Sequence, residues 1–191
     1  TVFPDEIILW LADEQFSDHE QVEKKLDVYI KLGLKIRYCD DLRSHKKYFY
    51  TLKENPKAII ITVDDDIIYP EDMIEKLLET HTEYPNKIVC NRAHLMKKNE
   101  QGLLPYNQWN NRARGIVGPD LYLCPTGSGG CLYPPESLSE HVFDVEVLKK
   151  LCFYADDLWL KCMGYMKGTE VVITGKDNPE MFDIIGTNKS G

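Results

Sequence analysis

Residues 58–63 (AIIITV) form an uninterrupted apolar, largely β-branched run that ends directly on three adjacent aspartates, Asp64, Asp65 and Asp66. Such a run reads as a central strand covered on both faces, the habit of a parallel sheet held between layers of helix. The aspartates then fall at the carboxyl end of that strand, where open α/β sheets hold their ligands. Three carboxylates this close repel one another, and a bound hard cation, which takes carboxylate oxygens, relieves the repulsion. Helix capping does not account for them, because Ile67, Ile68 and Tyr69 separate the triplet from the helix that Pro70 opens. A solvated acidic loop is the alternative.

The flanking pattern suits the same architecture. Residues 6–11 (EIILWL) read as a strand, and so do residues 34–38, where Leu34, Ile36 and Tyr38 alternate with Lys35 and Arg37. Between them Val22, Leu26, Tyr29 and Ile30 share one helical face, and Gly33 stands where a cap belongs. A second helix is expected over residues 46–52, and a third beyond Pro70 with Met73, Ile74, Leu77, Leu78 and Tyr84 as its apolar stripe. Residues 87–91 supply another strand, and the alternation predicts a mainly parallel, doubly wound sheet. Turn formers across residues 95–123 predict loops and a hairpin. Helices are expected over 144–151 and 156–166, the latter burying Leu158, Trp159, Cys162, Met163 and Met166, with a last strand over 170–174.

With 191 residues, 43% of them hydrophobic, the chain suits a single domain spanning 1–191. Its formal net charge of −8 argues against a sequence-independent grip on nucleic acid, which needs a positive surface. No apolar run approaches the roughly 20 residues that a membrane-spanning helix requires, so no transmembrane segment is expected. Six scattered cysteines lack the paired spacing of a zinc site or disulfide scaffold and read as reduced, buried thiols.

Beyond the triplet, Asp156 and Asp157 open the helix at 156, either as first-turn residues that cap it and favour its dipole or with one of them serving as a base toward an acceptor hydroxyl. Gly127, Gly129 and Gly130 in TGSGG let backbone approach a ligand closely and leave N–H groups for phosphate or sugar oxygens, although a plain turn has the same composition. Arg43, Lys46 and Lys47 form a basic cluster ahead of the apolar strand; surface charge explains it equally, and a lysine meeting a diphosphate is the functional alternative.

Taken together, DLRSHKKYFY, ITVDDDIIYPEDM, NRAH, PTGSGGCLYPP and ADDLW resemble, in this order and spacing, a family of bacterial glycosyltransferases with the GT-A fold, over nearly the whole chain. The resemblance implies a Rossmann-like α/β domain and a DXD motif, with Asp64 and Asp66 flanking a Mn²⁺ or Mg²⁺ ion and the donor, and Asp65 beside the ribose or metal. It implies further that Lys47, with Arg43 nearby, meets a nucleotide-diphosphate sugar, most readily a UDP-sugar. Gly127, Gly129 and Gly130 would then line the sugar and acceptor side. Asp157, and Asp156 second, would be the base of an inverting transfer to a glycan or lipid-linked glycan, in surface polysaccharide synthesis in the cytoplasm or at the inner face of the membrane. The family's usual first strand and helix have no counterpart before residue 6, so the domain is expected to be incomplete at its amino end, and the carboxyl end stops soon after the last strand. A nucleotide-sugar-binding remnant without activity is the second reading. An aspartyl phosphatase is the third, although that motif normally has Thr or Val where Ile68 stands.

Overall fold

The computed structural model describes residues 2–175 and 182–184; the remainder of the carboxyl-terminal segment named above lies outside the described residues. The protein is a mixed α/β fold. Strands β1 (Ile7–Ala12) and β2 (Leu34–Cys39) pair in parallel around helix α1 (His19–Lys31). Helix α2 (Lys46–Glu54) leads into β3 (Ile60–Thr62), and the acidic loop is followed by β4 (Ile67–Ile68) and helix α3 (Met73–Glu83). Then come β5 (Ile88–Cys90), β6 (Ala93–Leu95), a small hairpin of β7 (Lys98–Asn99) and β8 (Gly102–Leu103), β9 (Leu123–Pro125) and β10 (Cys131–Tyr133). Helices α4 (Val145–Leu151) and α5 (Asp156–Lys167), β11 (Val171–Ile173) and β12 (Phe182–Asp183) complete the described chain.

The principal sheet has the order β11-β5-β10-β3. β11 and β5 are parallel, while β10 runs antiparallel to both β5 and β3, so the sheet is mixed rather than mainly parallel. The reversal comes from β10, a three-residue strand immediately after the glycines that periodicity is too short to reveal. β3 is an edge of this sheet rather than a central strand, and the flanking Ile59 and Val63 are 41% and 44% exposed. Its apolar sequence reflects cover on its faces by helices: Ile60 is buried, and Ile61 packs into the cluster built by α3.

Side-chain alternation divides the core into two layers, as the pleat requires. Ile88, Cys90, Cys131, Tyr133, Val171 and Ile173 face a large cluster with Tyr48, Phe49, Leu148, Trp159 and Leu160 from α2, α4 and α5. Val89 and Leu132 point the other way, onto Met73 and Leu77 of α3. α2 also touches the two-stranded unit, where the Trp10 indole N–H donates to Thr51 Oγ1 at 2.7 Å and its ring lies 5.0 Å from that of Tyr50.

Several expected faces shift. On α1, Tyr29 is 59% exposed while Val22, Leu26 and Ile30 face inward. On α5 the buried positions are Trp159, Leu160, Met163 and Gly164, leaving Cys162 and Met166 exposed. Lys161 is buried on the same face because its ammonium reaches Leu121 O at 2.6 Å, tying α5 to the loop before β9. Tyr84 caps α3 from outside the helix. The hairpin expected between residues 95 and 123 is present as β7–β8.

Asn91, fully buried beyond β5, closes the sheet over the glycine-rich segment. Its Nδ2 donates to Gly129 O at 3.0 Å, and its Oδ1 accepts from Thr174 Oγ1 at 2.7 Å. Asn91→Ala leaves both partners without their bonds and is expected to cost about 2–4 kcal/mol. Urea unfolding checks this: the midpoint falls while the slope is unchanged.

Candidate active site

Four segments converge beyond the end of β3: the acidic loop 64–66, the start of α2, the glycine-rich turn between β9 and β10, and the start of α5. Lys47 joins them. It leaves the first turn of α2, and its Nζ lies 2.6 Å from Asp64 Oδ1 and 2.8 Å from Asp156 Oδ2. Burial alone would lower the lysine's affinity for its proton, but the charges of Asp156 and Asp64 and the bonds they accept raise it well above the usual lysine range. The ammonium is therefore permanently charged.

The neighbouring residues on that turn fasten it down. Ser44 Oγ donates to Asp156 Oδ1 at 2.8 Å. His45 is completely buried, with Nε2 2.9 Å from Cys152 O and Nδ1 2.7 Å from Tyr48 Oη. A carbonyl only accepts, so the ring carries its proton on Nε2, and Nδ1 takes the tyrosine hydroxyl hydrogen. α2 is thus fixed against the turn that leads into α5.

The two consecutive carboxylates of α5 sit in different surroundings. Burial pushes the Asp156 carboxyl upward, but Lys47 and the Ser44 hydroxyl outweigh it and hold Asp156 below the ordinary range. Asp157 Oδ1 accepts one bond, from the Gly127 N–H at 2.8 Å. Burial, and then the charge of Asp156, push the Asp157 carboxyl up to about 6 against the opposing influence of Lys47 and that N–H. Neither side chain caps the helix; the N-cap residue is Ala155, without a side-chain bond. Both carboxylates do lie in the first turn, where the helix dipole favours negative charge.

The glycines serve this network from within. A Cβ on Gly127 would lie 2.7 Å from Lys47 Nζ and 2.9 Å from Asp157 Oδ1, so only glycine lets both side chains close over the turn. A Cβ on Gly129 would lie 2.8 Å from Arg92 Cβ and 3.0 Å from its backbone nitrogen. Gly130, at φ +79°, turns the chain into β10. Their N–H groups are engaged inside the protein: that of Gly127 by Asp157, that of Gly129 by Thr126 O and that of Gly130 by Gly127 O.

Asp64, Lys47, Gly127, Asp156 and Asp157 are brought to one region. Asp64 is further set by its own N–H, which donates to Tyr69 Oη at 2.9 Å. The Asp66 carbonyl accepts from Ile184 N at 2.8 Å, beside the antiparallel pairing of β4 with β12, and Asp65 is exposed. Arg43 and Lys46 stand apart: Lys46 is paired with Asp41 at 2.5 Å, and the Arg43 guanidinium lies over the rings of Tyr154 and Phe153 at 5.2 and 5.9 Å.

Sequence reasoning missed Ser44, Tyr69, Asn91 and Arg92 as supports. Arg92 Nε donates to Thr126 Oγ1 at 2.7 Å and its Nη2 to Ser128 Oγ, gripping the glycine turn. The NRAH string that begins with Asn91 and Arg92 was the available signal.

No cluster of three or more His, Cys, Asp or Glu side chains suited to a metal occurs among the described residues. Mg²⁺ or Mn²⁺ is commonly held in another manner, by one or two carboxylates together with substrate phosphates. Asp64 and Asp66 have the hard oxygen donors for that arrangement. Asp157 also lines a cleft of about 290 Å³ whose walls include Thr126, His94, Tyr106 and Tyr154.

Two expectations follow from this geometry. In Gly127→Ala the methyl meets only the far ends of two flexible side chains, so the cost is about 1–2 kcal/mol, whereas Gly129→Ala meets backbone and is expected to cost roughly 3 kcal/mol or more; thermal melts of the pair check the order. Asp157 is expected to titrate near pH 6 in ¹³C-carboxyl NMR, and lower in Asp156→Asn, where the neighbouring charge is gone. Because its folded value is raised, the stability it contributes is present below pH ~4 and lost as pH rises through about 6. Asp157→Asn should therefore melt higher than the parent at pH 7.5.

No protein-family model matches the chain, and no curated protein matches it.

Proposed function

We propose that the protein is a metal-dependent glycosyltransferase of GT-A type that moves a sugar from a nucleotide-diphosphate donor to a glycan hydroxyl, with inversion at the anomeric carbon. The observation that carries this reading is the separation of roles between Lys47, Asp156 and Asp157. One buried ammonium is held between the acidic loop and α5, and beside it is a carboxylate whose pKa of about 6 suits a base working near neutrality. Parallel β1–β2, the helix-covered sheet and the acidic loop after β3 support the GT-A comparison, as does the order of the sequence motifs.

Asp157 takes the proton from the acceptor hydroxyl as its oxygen forms the new bond to the anomeric carbon. The bond from that carbon to the diphosphate breaks, and its electron pair leaves with the diphosphate. Charge develops on the sugar as an oxocarbenium-like state. The charge of Lys47 stabilises the departing diphosphate. Asp64 and Asp66 would hold the divalent cation, which supplies Lewis-acid stabilisation of the diphosphate when bound. Asp156 fixes Lys47 and, by its own charge, keeps Asp157 basic enough for the task. A UDP-sugar donor, a glycan or lipid-linked acceptor and a place in surface polysaccharide synthesis belong to the same proposal. No helix among the described residues is long and apolar enough to cross a membrane.

Asp66→Ala is expected to abolish Mn²⁺-dependent binding of UDP in calorimetry. Asp157→Asn should retain that binding while turnover of the donor falls at least about a thousandfold, a loss in the range of general-base catalysis. In the parent protein kcat/KM should rise with pH along a limb centred near 6, as Asp157 loses its proton. Undiminished UDP binding by Asp66→Ala, or full turnover by Asp157→Asn, would overturn the assignment.

A further inference from the structure

The cleft beside Asp157 has walls unlike those of a phosphate site. Tyr106 enters it from the turn at Tyr106–Gln108, and Tyr154 from the turn between α4 and α5. Both rings are exposed, at 57% and 78%, although each has aromatic neighbours that fix its plane. Tyr106 packs 5.0 Å from Trp109 and edge-on to His94 at 5.5 Å. Tyr154 meets Phe153 edge-on at 5.4 Å, and the Arg43 guanidinium lies 5.2 Å from its ring centre. Two exposed but braced aromatic rings at a carboxylate-lined cleft are what a ligand with a flat apolar face and a polar edge requires.

The polar groups narrow the ligand further. His94 Nδ1 accepts from the Arg112 N–H at 2.9 Å, so the neutral ring keeps its hydrogen on Nε2 as a donor. Burial, with Arg92 and Arg112 nearby, holds His94 in that neutral form. Thr126, Asp156 and Asp157 add oxygen acceptors, and no lysine or arginine lines the cleft. An anionic ligand there would face two carboxylates with no cation in the wall, whereas a polyhydroxylated neutral ring finds donors, acceptors and stacking surface together.

We infer that this cleft is the acceptor subsite, and that it takes a neutral pyranose at the end of a glycan, laid against the rings of Tyr106 and Tyr154 with its attacking hydroxyl toward Asp157. The inference rests on the glycosyl-transfer reading for the role of that sugar but not for its recognition. Tyr106 and Tyr154 are then specificity-determining residues outside the chemistry.

Saturation-transfer NMR of the whole protein with methyl β-glucopyranoside, methyl β-galactopyranoside and methyl β-glucuronide tests it, alongside calorimetry of UDP with Mn²⁺. At least one neutral glycoside should bind, with its ring C–H protons receiving most of the transfer, and the glucuronide should bind more weakly. Tyr106→Ala and Tyr154→Ala should each weaken the neutral glycoside about tenfold. Tyr154→Phe should retain it, and UDP affinity should stay within about twofold in all three. Because Tyr154 is exposed, its variant keeps the fold even if that of Tyr106 does not, and a melting curve separates the two effects. No glycoside binding by the parent, equal binding by Tyr154→Ala, preference for the glucuronide, or a tenfold loss of UDP affinity would overturn the subsite. If UDP with Mn²⁺ binds to no form while the glycoside pattern holds, the transferase reading falls and the sugar-binding cleft remains.

Discussion

The buried ammonium of Lys47 holds the site together. It joins the loop after β3 to the start of α5 across segments far apart in sequence, and each bond is shorter than 3 Å. An ion pair removed from water gains little net stability over an apolar contact, but losing one partner leaves the other buried and uncompensated. Lys47 is committed to two carboxylates, so the relative position of three elements is fixed by one side chain. Its neighbours share the work: Ser44 binds Asp156, and His45 binds the carbonyl of Cys152. A single turn before and into α2 therefore sets the entire floor of the site.

From that arrangement follows the difference between Asp156 and Asp157. Adjacent on one helix, with the same intrinsic chemistry, they are driven apart because Lys47 and Ser44 bond only the first. The second is left with one backbone donor and a negative neighbour. Environments that push two carboxyls in opposite directions are how proteins assign distinct roles to the same residue type. Gly127 is part of this assignment, since a side chain there would displace either the ammonium or the carboxylate it separates.

Much of the fold was legible because long periodic segments announce themselves: α1, α2, α3, α5, β1, β2 and β11 lie close to where apolar spacing put them. β10 escaped because three residues carry no period, and its antiparallel course changed the sheet from mainly parallel to mixed. β3 was misplaced for a related reason: apolar content records cover on the faces of a strand and says nothing of its hydrogen-bonded edges. In the site, the acidic pairs and Lys47 were legible as unusual charge in unusual places. Arg43 shared that signal and instead rests on Phe153 and Tyr154. Arg92, Asn91 and Ser44 were hidden because support residues are recognised by their partners, which only the folded chain reveals.

The local charge balance is what the proposed cation would answer. Asp64 and Asp156 meet one lysine with Asp157 beside them, and the other cations of the preceding segment are occupied, Lys46 by Asp41 and Arg43 by aromatic rings. A diphosphate brought alone to such a region meets repulsion that Lys47 cannot offset, because its charge is already shared between two carboxylates. On the proposed reading a divalent ion would change the sign of that encounter, since Asp64 and Asp66 would hold it and the claim of Asp64 on Lys47 would lessen. The ammonium would then be available to the phosphates while Asp156 keeps it in position. On the proposed reading, donor and metal bind as one unit because the protein's own charge admits neither the diphosphate without the cation nor a second unneutralised anion in the adjoining cleft.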